Sequence, residues 1–193
     1  EAPRLLATDA TNRIYFEPAE DFTGTISDVI TIRAWDRNIE WMQLGLDIGG
    51  EAEGDQSGHK MTLSSDGQTV AIGAFRNNGN GFESGHVRIY RQDPLNNAWA
   101  QVGADIDGEA EGDRSGMAVS LSSDGQIVAI GAPQNDGNGN GSGHVRVYQY
   151  DSGNDTWDRL GVDIDGEVAG DFSGIYVSTS SNGHTLAIGA TGN

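Results

Sequence analysis

The sequence contains no cysteine. Disulfides, thiolate-held zinc, iron–sulfur clusters and thiol catalysis are therefore excluded. Cations are scarce: 11 Lys and Arg stand against 29 Asp and Glu in 193 residues, a net charge of −18. Phosphate contacts need clustered cations, so no nucleic-acid partner is expected. The same charge opposes docking on anionic membranes. No apolar run approaches the ~18–20 residues of a membrane span, so no membrane insertion is expected of this segment. Proline occurs only 4 times against 29 glycines, which keeps Gly plus Pro below the ~25–30% of low-complexity disorder. Hydrophobic residues are a low 36%. They fall in short regular bursts, which suffices for a thin β-core.

The chain opens on Glu1-Ala2-Pro3 and stops at Ala190-Thr191-Gly192-Asn193, inside a repeated pattern. It is expected to be a piece of a longer protein. Trp41, Trp99 and Trp157 are evenly spaced, at a 58-residue interval. Residues 41–90 align on 99–148 without a gap, with 34 identities in 50 positions, and 99–135 align on 157–193 with 21 in 37. Composition cannot produce agreement at that level, so the repeat organises the fold. There are two full copies and a partial third.

Each copy reads as four short strands. Met61-Thr62-Leu63-Ser64 leads through Asp66-Gly67 into Gln68-Thr69-Val70-Ala71-Ile72. A strand, Asp-Gly, strand pattern signals a hairpin with a type I′ turn. The other copies place Asp124-Gly125 and Asn182-Gly183 there. A third strand covers residues 85–90, with Val87 and Ile89 inward and His86, Arg88 and Tyr90 outward. A fourth covers 41–48, with Met42, Leu44, Leu46 and Ile48 on one face. The small residues Ala71, Gly73 and Ala74 suit a strand that a neighbouring sheet approaches closely. No segment carries a 3.6-residue apolar stripe, so the repeat region is all-β. Tandem four-stranded units of this length point to propeller-type blades. Two and a half blades do not close a ring, so closure calls for more blades or for oligomerisation.

Ser115-Gly116-Met117-Ala118-Val119-Ser120, Ser123-Asp124-Gly125 and Ile130-Gly131-Ala132-Pro133 resemble the FG-GAP repeat of integrin-α-type β-propellers. The resemblance covers residues 41–193. The "FG" slot holds Ser57-Gly58, Ser115-Gly116 and Ser173-Gly174. The "GAP" slot is strict only at Gly131-Ala132-Pro133. Blades of that family often carry a D-x-D-x-D-G calcium loop between two strands. Here the hairpin is only Ser-Ser-Asp-Gly, so that site does not transfer. Before the repeats, 12–18, 21–24 and 30–36 resemble the C-terminal end of a cadherin-like or Ig-like module of bacterial surface proteins. That resemblance makes 1–37 a β-sandwich remnant and 38–193 the blade region, with 38–40 a very short linker.

Two acidic or amide-rich elements are candidate metal ligands. In loop 135–141, Asp136, Asn138 and Asn140 followed by Gly141 imitate the first half of a calcium loop. No acidic residue closes it, so a solvated connection fits as well. The run 105–113 offers Asp105, Asp107 and Glu109. Crowded carboxylates repel each other without a counter-cation, so this run is either a metal site or a solvated blade connection. In the latter, the Asp of G-D-x-S-G accepts backbone N–H bonds. The carboxylates recur in every copy, whereas a catalytic pair is needed only once; no enzymatic role is expected. His86 and His144 read as surface or strand histidines. Trp41, Trp99 and Trp157 read as blade-packing residues, with sugar stacking as the alternative. The Gly-rich loops lack the Lys and following helix of a phosphate loop.

The sequence thus reads as a non-enzymatic part of a large secreted or cell-surface protein with an adhesion or scaffold role. An extracellular protein or a glycan is its expected ligand, and Ca2+ its candidate ion. The alternative is a propeller of a secreted carbohydrate-binding or carbohydrate-active enzyme.

Overall fold

Apolar bursts separated by glycine-rich turns become strands throughout the computed structural model, which describes residues 43–193 and, before them, the backbone of 4–8 and 13–17. The chain divides into two compact units, Glu1–Trp41 and Met42–Asn193. In the first, β1 (Arg4–Thr8) pairs antiparallel with β2 (Arg13–Glu17). The expected features at 18–42, including Trp35, Trp41 and the strand at 30–36, lie outside the described residues.

The second unit is all-β, with no helix among the described residues. Its strands are β3 (Lys60–Leu63), β4 (Thr69–Ala74), β5 (His86–Gln92), β6 (Trp99–Gln101), β7 (Ile106–Asp107), β8 (Ala118–Leu121), β9 (Ile127–Ala132), β10 (His144–Asp151), β11 (Thr156–Arg159), β12 (Ile164–Asp165), β13 (Tyr176–Thr179) and β14 (Leu186–Gly189). One antiparallel sheet runs β3-β4-β5-β6, with β7 also on β5. The next repeats this as β8-β9-β10-β11, with β12 on β10, and β13-β14 begins a third. The first strands of the sheets are neighbours, β8 touching both β3 and β13. Among the described residues these sheets do not close into a ring.

The sheets are offset from the sequence repeat. Each outermost strand comes from the following copy, so Trp99 completes the first sheet and Trp157 the second. The expected continuous fourth strand is corrected here. Its counterpart at 99–107 is two short pieces on β5, separated by a bulge in which Gly103 has φ 70°. Residues 43–48 form no strand. Leu44 and Leu46 accordingly lie exposed rather than on an inward face.

The hairpins also differ from expectation. A type I′ turn needs positive φ at both central residues. Gly67, Gly125 and Gly183 have it, but Asp66, Asp124 and Asn182 do not. A side-chain wedge widens the loop instead. Ser64 Oγ donates to Asp66 Oδ1 and accepts from Thr69 N, while Asp66 Oδ1 also accepts from Gln68 N. Ser122 and Asp124 repeat the arrangement, as do Ser180 and Asn182.

The core lies between successive sheets. Ala71, Val87, Ile89 and Ile106 of the first sheet meet Val119, Leu121, Val128 and Ile130 of the second, with Tyr148 and Trp157 at the margin. The close approach expected at the small residues of β4 is present. A Cβ on Gly73 would run into the carbonyl oxygen of Gly116, and one on Gly131 into that of Gly174. Trp99 and Trp157 also hold junctions. Their indole N–H groups donate to Leu44 O at 3.0 Å and Val102 O at 2.8 Å.

Candidate metal centres at the repeat junctions

His86 opens β5, and Arg88 follows two positions later on the same side of the strand. The short strand β7 lies beside them, with Asp107 opposite His86. The loop before β3 brings Glu51 over the same spot. His86, expected outward, is instead only 2% exposed, and His144 only 3%. The alternation placed both correctly away from the Val87 and Val145 side. It could not show that β7, β12 and the preceding acidic loops cover them.

Three carboxylates converge on His86 Nδ1: Asp105 Oδ2 at 3.6 Å, Glu51 Oε2 at 3.8 Å and Asp107 Oδ1 at 4.0 Å. None is at hydrogen-bonding distance, and this buried nitrogen has no partner. Arg88 pairs with the other oxygen of Glu51 and, through Nε at 3.2 Å, with Asp105. Asn77 Nδ2 donates to Glu51 Oε2 at 3.3 Å. Three carboxylates against one guanidinium leave this cluster short of positive charge.

The second junction repeats the pattern. His144 Nδ1 lies 3.9 Å from Asp165 Oδ1 and 4.0 Å from Glu109 Oε2. Arg146 pairs with Glu109 and grips Asp163 through two hydrogen bonds of 2.8 and 2.9 Å. Arg159 adds a bond of 2.9 Å to Asp163. Burial pushes the His144 imidazole below its usual range, as does the Arg146 charge, against the opposing pull of Asp163, Glu109 and Asp113. It is therefore neutral near pH 7, with a lone pair free for a ligand. Burial opposes the Arg146 charge, but hydrogen bonds to Asp163 and Glu109 outweigh it and raise that pKa. The Arg146 hydrogen bond is in turn the main cause of the lowered Asp163 pKa.

Two groups thus have the ligand types and spacing to hold a metal ion: Glu51, His86 and Asp105, and Glu109, His144 and Asp163. In each, the donor atoms all lie within 4.8 Å of one another. No protein-family model matches the chain, and no curated protein matches it.

The acidic run is divided between the two junctions. Asp105 and Asp107 face His86, whereas Glu109 faces His144. The Asp of G-D-x-S-G behaves as expected. Buried Asp55 accepts Ala52 N and Asn77 Nδ2, and Asp113 accepts Ala110 N and Asn135 Nδ2. In loop 135–141 the candidate ligands are tied into the loop and its neighbour. Asp136 Oδ1 accepts Gly141 N, Asn138 Nδ2 donates to Gly166 O, and Asn140 O accepts Gly170 N. They are not brought together with the histidines. Sequence reasoning counted Glu51 and Asp163 among the copies of the acidic run but missed His86 and His144, and so the assembly of the carboxylates around them. The available signal was a His that recurs at the repeat interval, two positions before an Arg, in a chain rich in recurring carboxylates.

Proposed function

We propose that the chain is a run of propeller-type blades of the FG-GAP kind, serving as a non-enzymatic scaffold or adhesion module of a secreted or cell-surface protein. The supporting observation is the junction between sheets. The same contacts, from the Gly73–Gly116 approach to the Trp–carbonyl bond, are built twice, at equivalent positions of successive copies. Repeats joined this way draw stability from nearest-neighbour interfaces and present extended surfaces for partners.

The first sheet keeps an open face. Met61 and Leu63 are each 58% exposed, whereas their counterparts Val119 and Leu121 are buried against the preceding sheet. A further blade of the same repeat fits that face, and a second copy of the chain can supply one. Sedimentation over a range of concentrations tests this. Association should appear and be lost in the double variant Met61→Ser, Leu63→Ser. A monomer at every concentration refutes self-association through this face.

Calcium belongs to this reading as the ion for the acidic and amide-rich loops, with Asp136, Asn138 and Asn140 as candidate ligands. Melting in EDTA and then in millimolar calcium, with magnesium as control, tests it: a calcium-specific rise in midpoint is expected, and equal midpoints remove calcium. The carbohydrate-binding alternative has its own observation. Two equivalent depressions of about 330 and 320 Å³ are lined by Tyr90 and Trp99 and by Tyr148 and Trp157, beside Asp47 and Asp105 respectively. Aromatic faces beside carboxylates suit sugar rings. Affinity electrophoresis in gels containing soluble polysaccharides decides between the two. Unchanged mobility favours the scaffold, and specific retardation favours the glycan reader.

A further inference from the structure

We propose that each junction holds one divalent transition-metal ion of the zinc class, bound by Glu51, His86 and Asp105 at the first and by Glu109, His144 and Asp163 at the second.

The argument starts from His86. Its Nδ1 is buried without a hydrogen-bond partner and is aimed at three carboxylates that all stop 3.6–4.0 Å short. A buried polar nitrogen left unpaired is costly and rare. Direct hydrogen bonds would draw these oxygens to about 3 Å. A bridging cation would not: a tetrahedral ion with bonds of ~2.0–2.1 Å holds its ligand atoms roughly 3.3 Å apart. The observed separations are therefore within a small side-chain adjustment of closing around an ion.

The chemistry of the donors selects the ion. Calcium and magnesium take oxygen ligands almost exclusively. An imidazole with two carboxylates suits zinc and its first-row neighbours. Asp107 and Asp165, at 4.0 and 3.9 Å from the imidazole nitrogens, stand where a fourth ligand would complete a closed structural site. Arg88 and Arg146 hold the outer oxygens of Glu51 and Glu109. That leaves the inner oxygens toward the histidines, the orienting role of outer-shell partners. The ligands come from an acidic loop, the third strand and the residue just before the short strand supplied by the next copy. One ion therefore ties together three chain segments that meet only in the folded blade. The repeat puts a second, equivalent site in the copy that follows.

The test uses the whole chain, stripped with EDTA and desalted, in calorimetric titration with zinc chloride. Two equivalents of zinc should bind. Glu51→Gln should remove one and Glu51→Gln with Glu109→Gln both, weakening each site by about 100-fold or more, since even outer-shell changes reach that size. Both side chains are 46% exposed, so these variants keep the fold, which circular dichroism checks. The variant His59→Gln, His184→Gln should still bind two. Cobalt(II) provides a second readout through the visible absorption of a low-coordinate site, lost in the double Glu variant. Absence of zinc binding, a stoichiometry indifferent to Glu51 and Glu109, or displacement of zinc by millimolar calcium would each overturn the proposal. Because no ring closure or adhesion is assumed, failure here leaves the scaffold reading intact.

Discussion

Gly131 in β9 lies directly against Gly174 of the next copy, so close that a Cβ on Gly131 would overlap the Gly174 carbonyl oxygen. Neither atom is the end of a flexible side chain, so the backbone itself would have to move. Gly131→Ala should therefore destabilise the protein by at least the ~1–3 kcal/mol typical of overpacking. Urea unfolding checks this; an unchanged midpoint would mean the junction is looser than described.

Trp157 holds the preceding junction, between the first and second sheets, from its outer edge. Its ring packs on the core margin, and its N–H donates to Val102 O. Trp157→Phe keeps most of the ring contact and removes the donor. The expected loss is about 0.5–1.5 kcal/mol, the net worth of one hydrogen bond. Thermal or urea unfolding of the variant measures it, and a loss near zero would assign the tryptophan to packing alone.

Asp124 carries the clearest acid-range prediction. The hydrogen bond from Ser122 is the main cause of its lowered pKa, helped by the Gln126 N–H. A carboxyl whose folded pKa lies below its unfolded value contributes stability that is complete above the unfolded value, near ~3.9. That contribution fades as pH falls through the folded pKa. NMR titration should find Asp124 below the ordinary carboxyl range, and Ser122→Ala should return it upward. Equal midpoints in the two proteins would remove Ser122 as the cause.

Gln56, Arg114 and Phe172 occupy the same repeat position, each with φ between 52° and 57°. Left-handed backbone costs a non-glycine residue roughly 1–2 kcal/mol. The Gln56 side chain is exposed, so Gln56→Gly relieves strain without disturbing packing. Glycine's extra unfolded-state entropy offsets part of the gain. A net rise of up to ~1 kcal/mol is expected by urea unfolding; a fall would show that entropy dominates.

Much of the fold was legible in the residues themselves. The even spacing of Trp41, Trp99 and Trp157 marked the repeat. The Asp-Gly and Asn-Gly pairs marked hairpins, and Gly73 marked the close approach of sheets. These are local signals, because strand periodicity and the need for a missing Cβ show within a short stretch of chain. That Asp55 and Asp113 accept backbone N–H groups was legible for the same reason, though their burial was not.

What only the tertiary structure decided involves partners far apart in the chain. Alternation showed on which side of β5 His86 lies. It did not show that Glu51, from the loop before β3, and Asp105, from the copy that follows, close over it. It could not show that the run at 105–109 is shared between two junctions. Nor could it show that each sheet takes its last strand from the following copy. Sequence alone thus determined the repeat, the all-β class and the inward face of β5, because these follow from short-range periodicity. The burial of the histidines and the assembly of the carboxylates around them came from strand pairing across copies, which no local pattern encodes.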